Sequence, residues 1–262
     1  MGLYFNKISE RIRENRRLKK VESYFVSQLS FLDRQLSAEI EQLDLCLQKL
    51  NNWDTNDIIL NQTSNRISKR LLDITQEDLF TIFIHRKKGD ITENTECYNN
   101  MIGSLDHISR VLPHVLDANK KANNELNSCY DNWNSYLISI SKIHNTSITD
   151  NLIDNSFVGE LNTILKEFER KYKNSSNIKA TYNFQIRPII ELCKKYSKDK
   201  TAQELMTICD KAKIEFLQIK FLRENHATFI ELNKKVLTAT KKELSEKLIE
   251  FKGKKTKKNY VA

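Results

Sequence analysis

The sequence predicts an all-α fold: an elongated antiparallel helical bundle with coiled-coil-like packing of three long helices plus shorter connecting helices. Three observations predict it. Only 5 Gly and 2 Pro occur in 262 residues, too few for the turns of an all-β or Rossmann-like α/β fold. Apolar residues recur in steps of three and four, the helical period rather than the alternation of a strand. They do so over three stretches of matched length, and a stripe roughly 70 Å long needs partners of similar length to leave water.

The first stretch is residues 2–50. Its stripe runs Phe5, Ile8, Ile12, Leu18, Val21, Phe25, Leu29, Leu32, Leu36, Ile40, Leu43, Leu47 and Leu50, with Asn15 as the one polar interruption. Residues 51–57 are rich in Asn and Asp, which favour turns and caps. A helix restarts near Ile58 and passes through Ile67, Leu71 and Ile74. Thr75 reads as an N-cap with Glu77 and Asp78 in the first turn, where the helix dipole favours acids. The apolar run 79–84 reads as a buried helical turn, because no second strand-like segment exists to pair with it. Residues 87–90, with Gly89, are the clearest turn.

Asp90 and Glu93 have capping-box spacing. The second stripe follows from Tyr98 through Ile102, Leu105, Ile108, Leu112, Val115, Ala122, Leu126, Cys129, Trp133, Leu137, Ile140 and Ile143, with Asn119 as a polar gap. Pro113 lies inside it and predicts a kink or a break. Residues 145–156 read as a polar connection. A shorter helix carries Phe157, Leu161, Ile164, Leu165, Phe168 and Tyr172, and residues 174–177 end it. Pro188 suits the first turn of a helix running to about Tyr196. Thr201 and Glu204 have the spacing of a capping box before the third stripe. That stripe runs Leu205, Ile208, Ala212, Phe216, Ile219, Leu222, His226, Phe229, Leu232, Val236, Thr240, Leu244, Leu248 and Phe251.

The charge divides the chain. Residues 1–20 hold Lys7, Arg11, Arg13, Arg16, Arg17, Lys19 and Lys20 against Glu10 and Glu14, a net +5. Residues 252–262 hold Lys252, Lys254, Lys255, Lys257 and Lys258, also +5. The total is +9, so residues 21–251 sum to −1. The expected organisation is a basic amphipathic start over 1–20, continuous with a helical bundle over 21–251, and a disordered lysine-rich tail over 252–262. Binding of anions is expected at the ends and not along the middle.

The five cysteines (Cys46, Cys97, Cys129, Cys193, Cys209) are widely spaced and suggest buried reduced thiols, not a disulfide frame or a zinc site. Residues 1–20 lack the apolar core of a secretory signal, and no run is long enough to span a bilayer. A cytoplasmic location follows, peripheral to a membrane if the basic ends hold lipid. No histidine has Glu three residues before it, which excludes the di-iron bundle motif. His107 and His114 share a helix face with Asp117 beyond them, and read as solvated or satisfied. His226 reads as an interior hydrogen-bonded histidine. Phosphate-loop, dinucleotide-binding, nucleophile-elbow and zincin motifs are all missing. No cofactor or metal is therefore expected, and no motif supports an enzyme.

What remains is a helical scaffold or interaction protein. Its candidate contacts with an anionic surface are Tyr4, Phe5, Lys7, Ile8, Arg11, Ile12, Arg16 and Arg17 at one end and Lys254, Lys255, Lys257 and Lys258 at the other. The layout of long matched helices, a kinking proline and a basic amphipathic start resembles that of BAR-type membrane-shaping modules, which implies a lipid surface and a homodimer. The near-neutral middle departs from the broad basic face of that family. Nucleic acid is the alternative polyanion, although no aromatics interleave the lysines for base stacking. A protein partner is the third reading, and Glu243, Glu246 and Glu250 resemble the tails of bacterial type IV effectors.

Overall fold

A computed structural model describes residues 2–53, 70–149, 156–172 and 177–253, with side chains from Asn6 onward. The fold is all-α, with no strand among the described residues. In chain order, α1 is Gly2–Asn52 and α2 is Gln76–Phe80, which continues as a π-helical turn over Thr81–His85. Then follow α3 (Ile91–Thr149), α4 (Ser156–Tyr172), α5 (Ile178–Thr181) with a π-helical turn over Tyr182–Ile186, α6 (Arg187–Lys195) and α7 (Lys200–Gly253). The long helices α1, α3 and α7 have 51, 59 and 54 residues.

The buried residues sharpen the three stripes. On α1 they are Phe25, Leu29, Leu32, Leu36, Glu39, Leu43, Cys46 and Leu50, in unbroken steps of four and three. That is the heptad spacing of about 3.5 residues found in coiled-coil seams. Glu39 and Cys46 thus take the inner places expected of Ile40 and Leu47, which are half-buried. On α7 the series is Leu205, Cys209, Ala212, Phe216, Ile219, Arg223, His226 and Ile230. Arg223 and Ile230 replace the expected Leu222 and Phe229, and Leu232 is exposed at 61%. In both helices the strict heptad outweighs local hydrophobicity, so polar side chains occupy inner positions.

Several boundaries differ from expectation. Helix α1 runs on to Asn52 and ends at Trp53, whose φ of 60° is left-handed. That position past a helix end is usually glycine or asparagine. Here the Trp53 ring stacks on Phe216 at 5.7 Å, and packing holds the strained backbone. Pro113 does not break α3, which is continuous through it. Its neighbours Leu112 and Val115 are buried, so packing on both sides holds the helix across the missing backbone bond. Helix α3 also consumes the start of the expected connection and ends at Thr149, with buried Ser147 donating to the Ile143 carbonyl at 2.9 Å. Before α7 the cap is Asp199, whose Oδ1 accepts from the Ala202 amide at 2.9 Å, so Thr201 and Glu204 lie inside the helix and form no capping box. Asn177 caps α5 in the same way, accepting from the Ala180 amide. The helix expected to restart at Ile58 falls mostly outside the described residues; of its described part, Arg70 to Leu72 are helical.

Thr75 is the residue before α2, as expected, but its side chain makes no capping bond. The run 79–84 is helical and buried at Leu79, Ile82, Phe83 and Ile84. Pro188 sits in the first turn of α6.

Two compact units divide the chain. The first comprises residues 1–44, 61–117 and 231–262; the second comprises 45–60 and 118–230. In the first, α1 and α7 run antiparallel, since Ser245 donates to Asp33 at 2.7 Å while Lys234 pairs with Asp44 further along α1. Its aromatic core stacks Phe83 on Phe251 at 4.0 Å and sets Phe25 edge-on to Phe83 at 5.4 Å. In the second, α3 and α7 run antiparallel, since His226 bonds Asn119 while Glu215, earlier on α7, lies beside Cys129, later on α3. There Phe216 gathers Tyr182 at 4.0 Å and Trp133 at 6.3 Å.

Candidate anionic-surface contact and the buried polar clusters

Burial on α1 begins at Leu18, with Asn15 half-buried before it. From Asn6 to Glu14 every side chain is exposed. Extended backwards in steps of three and four, the inner seam would fall on Asn15 and then Arg11, two polar places in succession that give no apolar seam to bury. Ile8 and Ile12 are therefore left 39% and 48% exposed. Lys7, Arg11, Arg13, Arg16, Lys19 and Lys20 are exposed around them, and none forms an ion pair with another described residue.

Arg17 is different. Its guanidinium reaches both Asp78 oxygens, at 2.6 and 2.7 Å, and both Glu14 oxygens, at 2.7 and 2.9 Å. Bonding to Arg17 holds the Asp78 and Glu14 carboxyls below their usual range, and Arg17 itself is raised by the same bonds. This fork-to-fork pair is an internal clasp from α1 to the first turn of α2. Arg17 stays half exposed while its charge is shared by these two carboxylates, unlike the cations around it. A second clasp lies beside it. Lys87, buried in the expected turn, pairs with Glu22 at 2.7 Å and lies 4.2 Å from the Phe251 ring centroid. Gly89 has a φ of +120°, open to glycine and strained for any other residue, which makes this turn possible.

The side chains of Tyr4 and Phe5, and all of Lys254, Lys255, Lys257 and Lys258, lie outside the described residues. The exposed set brought together is accordingly Lys7, Ile8, Arg11, Ile12 and Arg16, joined by Arg13, Lys19 and Lys20.

In the second unit a polar cluster is enclosed. Arg223 is only 2% exposed. Its Nη2 donates to the carbonyls of Lys49 at 2.6 Å and Leu50 at 2.8 Å, its Nε donates to Leu50 at 3.1 Å, and its Nη1 donates to the Tyr130 hydroxyl. The last carbonyls of α1 have no partner within the helix, and they carry the negative end of its dipole. Arg223 supplies both the donors and the charge. Trp53 completes the arrangement, its ring 5.5 Å from the guanidinium carbon.

One turn further along α7, His226 Nε2 donates to Asn119 Oδ1 at 2.8 Å, and Cys46 Sγ donates to the same oxygen at 3.8 Å. A carbonyl oxygen only accepts, so Nε2 carries the proton. Burial lowers the imidazole to a pKa of about 4. The expectation of an interior hydrogen-bonded histidine holds, and the Asn119 gap in the second stripe is its partner. The sequence reading passed over Arg223, although its spacing of four from Ile219 and three from His226 marks an inner position.

His107 is half-buried and His114 exposed, and among the described residues no group of three or more acidic, histidine or cysteine side chains could hold a metal ion. The five cysteines are buried and form no disulfide, and burial pushes the Cys46, Cys129 and Cys209 thiols up to about 12. No helix among the described residues is long and apolar enough to cross a membrane. Comparison with protein-family models, curated proteins and solved structures finds no match to this chain.

Proposed function

We propose that this protein is a non-enzymatic helical scaffold that docks on an anionic membrane surface through the start of α1. One observation carries the reading: Ile8 and Ile12 are exposed side by side among cations that form no ion pair with another described residue. Each cation held near an anionic leaflet contributes about 1 kcal/mol, and the two isoleucines add insertion of apolar surface. Nucleic acid would use the same cations but leave the isoleucines in water, so lipid is favoured. The lysines at 254–258 supply a second basic segment for the same surface.

The proposal includes the finer architecture, with α1, α3 and α7 forming an elongated antiparallel bundle. Helices of 51, 59 and 54 residues have a rise of about 75 to 90 Å, and the antiparallel registers within each unit support it. Small-angle scattering with a mass measurement tests this part. A compact profile would contradict it, and the mass separates monomer from homodimer.

Co-sedimentation tests the function. Full-length protein should pellet with vesicles of mixed phosphatidylcholine and phosphatidylserine at low salt and stay in solution with phosphatidylcholine alone. Substituting Ile8→Asp with Ile12→Asp should release it. Deleting residues 1–20 is the poorer test, because it also removes Leu18 and the Arg17 clasp. Equal pelleting by both proteins would defeat the reading, and binding of duplex DNA that survives the double substitution would favour nucleic acid.

A further inference from the structure

Glu39 occupies an inner position of the α1 seam in the first unit, between Leu36 and Leu43, and is only 3% exposed. Its Oε1 is enclosed and has no hydrogen-bond partner among the described residues. Gln42, on the next turn of the same face, also has an enclosed and unpartnered Oε1. A seam of Phe25, Leu29, Leu32, Leu36 and Leu43 thus contains a carboxyl where the heptad asks for an apolar side chain.

Among the described residues, the cations nearest in register are occupied elsewhere. On α7, the pairs of Asp33 with Ser245 and Asp44 with Lys234 set Glu39 opposite the stretch around Thr240. Lys234 is held by Asp44, and Lys241 lies 3.9 Å from Asp33. Thr240 donates its hydroxyl to its own helix, at the Val236 carbonyl. On α3, the contact of Cys97 with the Lys247 carbonyl sets the same level near residues 104–108, where Asp106 is paired with Arg110 and His107 is half-buried. None of these groups offsets the burial of Glu39, which by itself raises the carboxyl from 4.5 to about 7.

We propose that Glu39 makes the α1 seam of the first unit proton-dependent: the seam packs fully with the carboxyl neutral and loosens once it ionises. The physics fixes the direction. Below the ordinary carboxyl range both the folded and unfolded chains are protonated, and Glu39 imposes no penalty. As the pH rises toward neutrality the unfolded chain ionises first, so stability falls, and it levels off once the folded carboxyl has ionised too. The device works around neutral pH, where a small acidification tightens the unit.

The test compares thermal melting of the full chain with that of Glu39→Gln and Glu39→Leu from about pH 5 to about pH 8. The difference, variant minus unsubstituted, should be near zero or negative at the acid end for Gln. For both variants it should grow by several degrees toward the alkaline end. Subtracting curves removes the titration of every other group, His226 included. Parallel curves for both variants would overturn the proposal, as would a difference that shrinks as the pH rises. The Leu variant keeps the test decisive if Gln alone packs badly, because it restores the apolar residue the seam calls for.

Discussion

At the residue scale, the chain relies on a few polar side chains placed where its helices are most tightly enclosed. Arg223 is the foremost. A buried guanidinium costs free energy unless its donors are met, and here the α1 carbonyls and the Tyr130 hydroxyl take four of the five. Replacing it by Met keeps most of the volume but leaves those carbonyls unpaired, so Arg223→Met should lower stability by about 3 kcal/mol in urea unfolding. Arg223→Lys should recover little of this, since an ammonium cannot fork between two carbonyls.

His226 gives a prediction with a sign. Its pKa is lowered from 6.5 to about 4 in the fold. Between those values the unfolded chain takes up a proton that the folded chain refuses. Stability contributed by the neutral ring is full above pH 6.5 and should fall by roughly 3 kcal/mol as the pH drops to 4. In His226→Gln, which can still donate to Asn119, urea unfolding across this window should show a much smaller fall.

At the scale of the element, α3 poses the sharpest question. Proline in a helix interior costs about 3 kcal/mol relative to alanine in a free helix, and yet α3 is continuous through Pro113. If packing at Leu112 and Val115 carries that cost, Pro113→Ala should raise stability by about 1 to 3 kcal/mol. Unchanged or lower stability would mean that the proline's shape is itself used in packing.

The same scale shows what was legible in the sequence. The three long helices followed from periodicity, while the run at Leu79 to Ile84 was read as helical only because no second strand exists to pair with it, and the helical stretch from Ile178 to Ile186 was not foreseen. The inner face was less legible. Hydrophobicity selected Ile40, Leu47, Leu222 and Phe229, each one residue from the position that is enclosed, because the inner residues include Glu39, Cys46 and Arg223. A hydrophobic count passes over an arginine whose partners are carbonyls distant in sequence. Caps erred for a related reason: Asp199 and Thr201 are both competent N-caps, and the choice depends on where the backbone turns. At the candidate site, the exposure of Ile8 and Ile12 was legible as a basic amphipathic segment. The pairing of Arg17 with Asp78 was not, because Asp78 lies far away in sequence.

At the scale of the whole molecule, the proposal rests on the contrast between the packed part of α1 and its start. Beyond Leu18 the inner face of the helix is enclosed at every heptad position from Phe25 to Leu50. Before it, Ile8 and Ile12 face water beside Lys7, Arg11, Arg13 and Arg16, none of which forms an ion pair with another described residue. The charge distribution agrees, since both surplus segments lie at the ends and residues 21–251 sum to −1.

Vesicle co-sedimentation of the full-length protein beside its Ile8→Asp, Ile12→Asp variant is the most direct measurement. The account predicts that the unsubstituted protein pellets with phosphatidylserine-containing vesicles at low salt and that the variant, still folded by circular dichroism, remains in the supernatant. An unsubstituted protein that stays in the supernatant, or a variant that pellets just as well, would contradict it.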